Sequence, residues 1–415
     1  MLRCVDDRRS HGLEARAGAR LAGIALVMLA LPASVPAAPA APARHATHAK
    51  PTAPVEPAAA TARDAEALLA SERAITDIVA RIQPAVINVR RFVPDEKWWA
   101  TANANKEKLS GGWKMVPERE LLYPHHRPLP GASGVVISDD GYVLTLNRAV
   151  VLPNGDEADI IDCEIGPENY KATIVAREPT IDLAILKVTA STKLPFAPLG
   201  TIATLDPGRF VLEFGAPDGP VHVLSPGLVT QVPLRECYQD ELSATYLQTS
   251  MTFDDGALGG PVVDATGKVV GLATRRGDSN AKPAPDGGPG YALPIDLATA
   301  IYKSLLERRS RESPWLGISV LRLSHEGRRA AGAPDSIGIL VDNVFTPSAA
   351  DSIGIRVGDV ITNMQGEEIR TVYEFQRILY AAGVGQYVSL VLVRKGVRLE
   401  KTAHIEKRPP EAITR

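Results

Sequence analysis

Apolar positions along the chain fall into three regimes. Leu68, Leu69, Ile75, Ile78, Val79 and Ile82 recur at helical spacing and predict an amphipathic helix over 64–83. Pro84 stops it, and Ala85 to Val89 reads as a strand. From Gly131 to Pro294 the pattern changes to short apolar runs broken by Gly, Pro, Asp and Asn. Val135–Ser138, Tyr142–Thr145, Ala172–Ala176, Leu183–Val188, Phe210–Phe214, Leu228–Val232, Pro261–Val263 and Val269–Thr274 are the clearest. Many short strands at such spacing predict a sandwich or a barrel. Ile295 to Arg309 reads as a closing helix and 310–313 as a short polar linker. The block 314–406 mixes strands (Gly338–Val344, Val360–Met364, Tyr387–Arg394) with a helix over Thr371–Ala382, spaced through Val372, Phe375, Ile378 and Leu379. It is long enough for one small domain.

Two stretches carry no period. Between Pro32 and Arg63, 13 residues are Ala and seven are Pro, so 38–63 reads as a disordered spacer. The segment 93–130 holds Trp98, Trp99, Trp113 and the His125-His126 pair among charges and prolines, and reads as a long functional loop. At the N-terminus, Arg16 and Arg20 precede the apolar run Leu21–Leu31 and a small-residue site at Val35-Pro36-Ala37. This is the order of a secretory signal peptide over 1–37, and it implies a periplasmic or secreted protein. Eleven helical residues span about 16 Å of a hydrocarbon core about 30 Å thick, so an uncleaved signal anchor is the weaker alternative.

Charge and cysteine content narrow the classes. The 415 residues carry a formal charge of −2. Residues 1–63 hold eight basic and four acidic side chains, so the remainder is mildly acidic. That body lacks the basic face a nucleic-acid binder needs. Cys4, Cys163 and Cys237 form neither a disulfide framework nor a zinc spacing, and no metal or cofactor is expected.

Three segments carry a resemblance. Gly131-Ala-Ser-Gly-Val-Val-Ile-Ser-Asp-Asp-Gly-Tyr-Val-Leu-Thr-Leu-Asn-Arg148, Thr180-Ile-Asp182-Leu-Ala-Ile-Leu-Lys-Val and Gly256-Ala-Leu258-Gly-Gly-Pro261 resemble, in order, the three triad segments of the HtrA/Deg family of trypsin-like serine proteases. Gly290-Tyr-Ala-Leu-Pro-Ile295 is similar to the stretch that follows them. Trp315-Leu-Gly-Ile318, Pro347–Gly354 and Arg356-Val-Gly-Asp-Val-Ile361 resemble the family's PDZ domain. The resemblance spans 64–406. It implies a mainly β protein: a trypsin-like double six-stranded β-barrel over 64–310, then a mixed α/β PDZ domain over 314–406.

The departures bear on chemistry. Serine proteolysis needs a hydroxyl nucleophile, a base to take its proton and a carboxylate to orient the base. Asp182 keeps the carboxylate position. Arg148 stands where the resemblance implies the base, and a guanidinium cannot accept a proton near neutrality. Leu258 stands where the nucleophile is implied, and it has no heteroatom. Gly256 and Leu258 would keep the backbone donors of an oxyanion hole. Ser250, eight residues before Leu258, reads as a packed or solvated strand serine rather than a displaced nucleophile. Of the region's histidines, His125, His126 and His222, the His125-His126 pair on the long loop is the weaker alternative as a displaced base, and no nearby carboxylate or Cys spacing supports it as half of a metal site. An Arg148–Asp182 salt bridge is expected at the degenerate triad.

In the PDZ-like block an extended peptide would add beside Ile318, Ser319 and Val320. Its terminal carboxylate would meet backbone N–H groups near Leu316 and Gly317, next to Trp315. The sequence-level reading is an exported HtrA-like pseudo-protease that binds peptides or unfolded protein segments as a chaperone, adaptor or regulator of envelope proteins. The alternatives are an active endopeptidase using other residues and a structural subunit that modulates an active HtrA-like relative. The resemblance implies trimer-based assembly.

Overall fold

The structure is a computed structural model that describes residues 62–100, 122–152, 154–217, 223–233, 246–275, 289–308, 312–333 and 337–409. The signal segment, Trp113, His222 and Cys237 lie outside the described residues. From Ala60 onward the chain packs as one unit.

Helix α1 (Ala62–Ile82) is the predicted amphipathic helix. Its C-terminal half buries Ile78 and Ile82, while Leu68 and Leu69 remain exposed. The first sheet comprises β1 (Val86–Pro94), β2 (His126–Pro128), β3 (Ala132–Val136), β4 (Tyr142–Leu146), β5 (Ile160–Ile165), β6 (Glu168–Glu178) and β7 (Leu183–Val188). The order β1-β3-β4-β7-β6-β5 closes through a β1–β5 pairing into a six-stranded barrel, with β2 added outside on β1. The base of the predicted loop 93–130 is therefore more regular than its sequence suggests. β1 runs on to Pro94 and pairs with β2, Pro94 opposite His126.

The second barrel comprises β8 (Phe210–Gly215), β9 (Val223–Gln231), β10 (Leu247–Thr249), β11 (Pro261–Asp264), β12 (Val269–Thr274) and β13 (Gly290–Pro294). It closes in the order β10-β13-β12-β11-β8-β9. Strands such as β7 and β12 are almost wholly apolar because both faces are covered: one by the barrel interior, the other by neighbouring elements. Helix α2 (Ile295–Arg308) follows β13 directly and closes the double barrel. The expected two-barrel fold is present.

The C-terminal domain consists of β14 (Pro314–Trp315), β15 (Ile318–Arg322), helix α3 (His325–Ala331), β16 (Ile339–Val344), helix α4 (Ala349–Ser352), β17 (Val360–Met364), β18 (Glu367–Glu368), helix α5 (Val372–Ala382), β19 (Tyr387–Arg394), β20 (Val397–His404) and β21 (Glu406–Lys407). Its sheet runs β15-β16-β17-β19-β20, and β14 pairs with β21. Thr371 and Glu374 form a reciprocal capping box that fixes the start of α5. Val372, Phe375, Ile378 and Leu379 of α5 enter the domain's own core. Tyr373 and Tyr380, seven residues apart on the same helix, enter the core of the double barrel instead. One helix is thus shared between the two hydrophobic cores.

Candidate functional site

The first site sits where two turns meet beside the first barrel. β4 ends in the turn Asn147–Ala149, and β6 ends in the turn Pro179–Ile181. Because β4 and β7 pair with Leu146 opposite Leu183, the residues beyond them, Arg148 and Asp182, become neighbours. Asp182 adopts left-handed backbone at φ 56°, a conformation that Asp tolerates better than most residues. That conformation aims its carboxylate at Arg148. Arg148 Nε donates to Asp182 Oδ2 at 2.5 Å, and the Arg148 backbone N–H donates to Oδ1 at 2.9 Å. The side chains are 27% and 14% exposed, so the pair is partly desolvated. Burial pushes the Asp182 carboxyl above its ordinary range, and the Arg148 charge pulls against that shift. Tyr246 is buried close by, and its hydroxyl is pushed up by burial and by the Asp182 charge.

Leu258 follows the turn Asp255–Ala257 and is 6% exposed. Ser133 on β3 anchors this turn twice, its N–H donating to Leu258 O at 2.9 Å and its Oγ to Gly256 O at 2.8 Å. The next residues must be glycine. At Gly259 (φ +91°) a Cβ would lie 2.2 Å from Ser133 O, and at Gly260 it would lie 2.0 Å from Phe214 O. Thr145 donates to Ser133 O, so the turn is tied to the strand that carries Arg148 at its end. All three motif segments of the sequence therefore converge on the junction of the barrels.

The other candidate residues are engaged elsewhere. Ser250 lies just past β10 and is clamped to β9, its Oγ accepting from Leu228 N at 3.0 Å. His125 pairs with Glu96 at 2.8 Å, and His126 Nδ1 sits 2.7 Å from Pro124 O. Among the described residues no group of three or more His, Cys, Asp or Glu side chains is arranged to hold a metal ion. Trp98 and Trp99 are half-buried, and the Trp99 ring lies 5.9 Å from that of His125.

One residue escaped sequence reasoning. Glu213 lies within the apolar run of β8 and is 1% exposed, with no hydrogen-bond partner for either carboxyl oxygen. A single acid inside an otherwise apolar run was the available signal.

In the C-terminal domain β15 is an edge strand whose sheet partner is β16, with helix α5 beside it. The residues leading into it are shaped by packing. Leu316 is buried in the domain core, and Trp315 lies 5.5 Å from the Phe345 ring. Gly317 has φ +83°, and a Cβ there would fall 2.1 Å from Ser348 Cβ. Leu316 O and Gly317 O accept from Ala350 N and Phe345 N at 2.9 Å each. Ile318 and Val320 are half-buried along the groove. On the opposite face of α5, Tyr380 Oη lies 3.3 Å from Thr180 Oγ1, two residues before Asp182.

Two closed antiparallel barrels joined at such a trio of turns, followed by an edge strand and helix of this kind, define a trypsin-like peptidase fold with one PDZ domain. The trypsin-like peptidase domain family model matches residues 132–272, and the PDZ domain model matches residues 314–405. Similar proteins include two DegP-like proteins described as probable periplasmic serine endoproteases. The one from Marinomonas sp. is 28% identical, over 80% of this chain and 71% of its own length. The one from Pseudomonas savastanoi pv. phaseolicola is 29% identical, over 81% and 71%. Among solved structures, the HtrA-type protease AlgW with a tripeptide superposes with a TM-score of 0.58 at 26% identity, covering 81% of this chain and 97% of that one. The structure of AlgW with a decapeptide gives 0.57 at 26% identity, covering 81% and 99%. The chain therefore carries a trypsin-like peptidase domain followed by one C-terminal PDZ domain, and it is similar over most of its length to DegP-like and HtrA-type proteins.

Proposed function

We propose that this protein is an exported pseudo-protease that binds extended peptides or unfolded protein segments and acts as a chaperone, adaptor or regulator in the envelope. The observation that carries the reading is Arg148 held against Asp182 by two hydrogen bonds, with Leu258 at the third position. A permanently protonated guanidinium occupies the place of a base, and an alkyl side chain occupies the place of a nucleophile. The loss of either function alone removes several orders of magnitude of rate. Donors remaining near Gly256 and Leu258 have no covalent intermediate to stabilise.

Peptide binding is assigned to the edge of β15, with Trp315, Leu316 and Gly317 forming its closed end and Ile318 and Val320 its wall. Peptide binding as such is supported by the similar AlgW, solved with a tripeptide and with a decapeptide. Export is supported by the leader-like residues 1–37 and by the periplasmic relatives. In the described residues no helix is long and apolar enough to cross a membrane.

The test is incubation of the purified mature chain with unfolded casein and a serine-reactive phosphonate. Intact casein with no labelling is expected. Cleavage with labelling of one serine, abolished by Ser250→Ala or another single Ser→Ala change, would replace the reading with an active endopeptidase. A change in the rate at which an active HtrA-like relative cleaves casein, caused by adding this chain, would favour a modulating subunit.

A further inference from the structure

We propose that Glu213 is a proton-operated latch beneath the turn Asp255–Ala257, so that the protonation state of this one carboxyl decides whether the turn carrying Gly256 and leading to Leu258 stays seated in the cleft. Strand geometry places the group. Along β8, Leu212 and Phe214 point to one face, and Val211, Glu213 and Gly215 to the other. A Cβ on Gly215 would lie 2.6 Å from Ala257 Cβ and 3.4 Å from Glu213 Oε1. The carboxyl and Ala257 therefore share the space left open by Gly215.

That space offers the carboxyl little. Glu213 is 1% exposed and both oxygens are buried; neither has a partner at ordinary hydrogen-bond distance, although the Ser225 hydroxyl lies near enough to favour the ionised form. The ladder sets Ser225 of β9 on one side and Val262 of β11 on the other. β1 contributes Asn88, whose amide is already committed to Ala216 O and Pro217 O. Of the charged groups that face it, Asp254 on the turn is a like charge, and the next residue, Asp255, is tied to Arg275. Burial and the Asp254 charge together push the Glu213 carboxyl up to about 8, with the Ser225 hydroxyl opposing them.

A neutral carboxyl tolerates this setting, but a carboxylate does not. Once ionised, it must gain water or move away from Asp254. The surrounding strands are locked in a closed barrel, whereas the turn is held to its neighbours by the two Ser133 hydrogen bonds, the Asp255–Arg275 ion pair and the Gly259 N–H donating to Ala273 O, and Asp254 and Asp255 are exposed. Ionisation therefore lifts the turn rather than the strands. The latch would operate in a compartment whose pH follows the surroundings, and it does not depend on whether the cleft cleaves peptides.

Hydrogen exchange on the intact mature chain tests this between about pH 6 and about pH 9.5, with rates corrected for intrinsic base catalysis. In the wild type, protection of peptides covering 253–260 should fall by up to about tenfold per pH unit as the pH rises from about 6 towards a midpoint near 8 and level off above it, while those covering β12 keep theirs. Glu213→Gln should abolish the dependence. Asp254→Asn, which removes the facing charge, should lower the midpoint. The proposal is overturned if wild-type protection does not change with pH, if Glu213→Gln behaves like the wild type, if Asp254→Asn leaves the midpoint in place, or if β12 loses protection in parallel.

Discussion

At the scale of single residues, charge bookkeeping at two acids dominates. Asp182 has a cationic partner and Glu213 has none, so substitutions near them should act in opposite directions. Arg148→Ala strands Asp182 and should destabilise by about 2 kcal/mol, less than the 3–5 kcal/mol typical of a fully buried pair because Arg148 is 27% exposed. Adding Asp182→Asn should recover part of that loss, and thermal or chemical denaturation of the four species closes the cycle. Additive effects would mean that the 2.5 Å contact contributes no coupling. For Glu213 the folded state holds its proton up to about 8, against an ordinary 4.5. Between those values the folded state binds more protons than the unfolded chain, so stability falls as pH rises, by about 1.4 kcal/mol per unit if the group titrates alone. Glu213→Gln lacks this term and should gain relative stability on going from pH 5 to pH 8. A wild-type curve parallel to that of the Gln variant would refute the assignment.

At the scale of elements, legibility followed burial on both faces. β7 and β12 were readable because nearly every residue is apolar. β5 was missed because Asp162 and Glu164 interrupt it, and their charge is answered by Arg90 from the neighbouring β1, at 2.9 Å from Asp162. β9 begins before its predicted start because Pro226-Gly227 reads as a breaker. Over Val223–Leu228 the strand pairs with β8, whereas β10 joins only from Val229, so the missing Pro226 N–H is tolerable on the open side. The turns that carry Arg148, Asp182 and Leu258 lie within the segments that stand out in the sequence, as does the entry to β15. Gly317 gives that entry a testable feature. Gly317→Ala combines positive φ with a contact at 2.1 Å from Ser348 Cβ, and should destabilise by about 1–3 kcal/mol. Peptide affinity, read by fluorescence anisotropy, should fall with it. Unchanged affinity would remove the Trp315–Gly317 segment from the binding site.

At the scale of the whole molecule, the joint between the barrels and the PDZ domain was invisible in the sequence. Helix α5 reads as an ordinary amphipathic segment, and periodicity does not reveal that its second face meets another core. Yet Tyr373 and Tyr380 are 2% and 4% exposed, with Tyr380 beside Thr180, and α5 packs along α2. A linker of a few residues would otherwise allow the two domains to move independently. Two buried aromatic side chains, each costing about 3–5 kcal/mol to truncate to alanine, are enough to bind the domains into one cooperative unit. The intact chain should therefore unfold in a single transition, with tryptophan fluorescence and far-UV circular dichroism coincident. Tyr373→Ala with Tyr380→Ala should split that transition in two, the PDZ domain and the double barrel melting apart. Tyr380→Phe removes only the hydroxyl facing Thr180 and should leave the transition single. If the double alanine variant still unfolds in one step, the cohesion of the molecule lies outside this helix; if the wild type already unfolds in two, the shared helix does not couple its two cores.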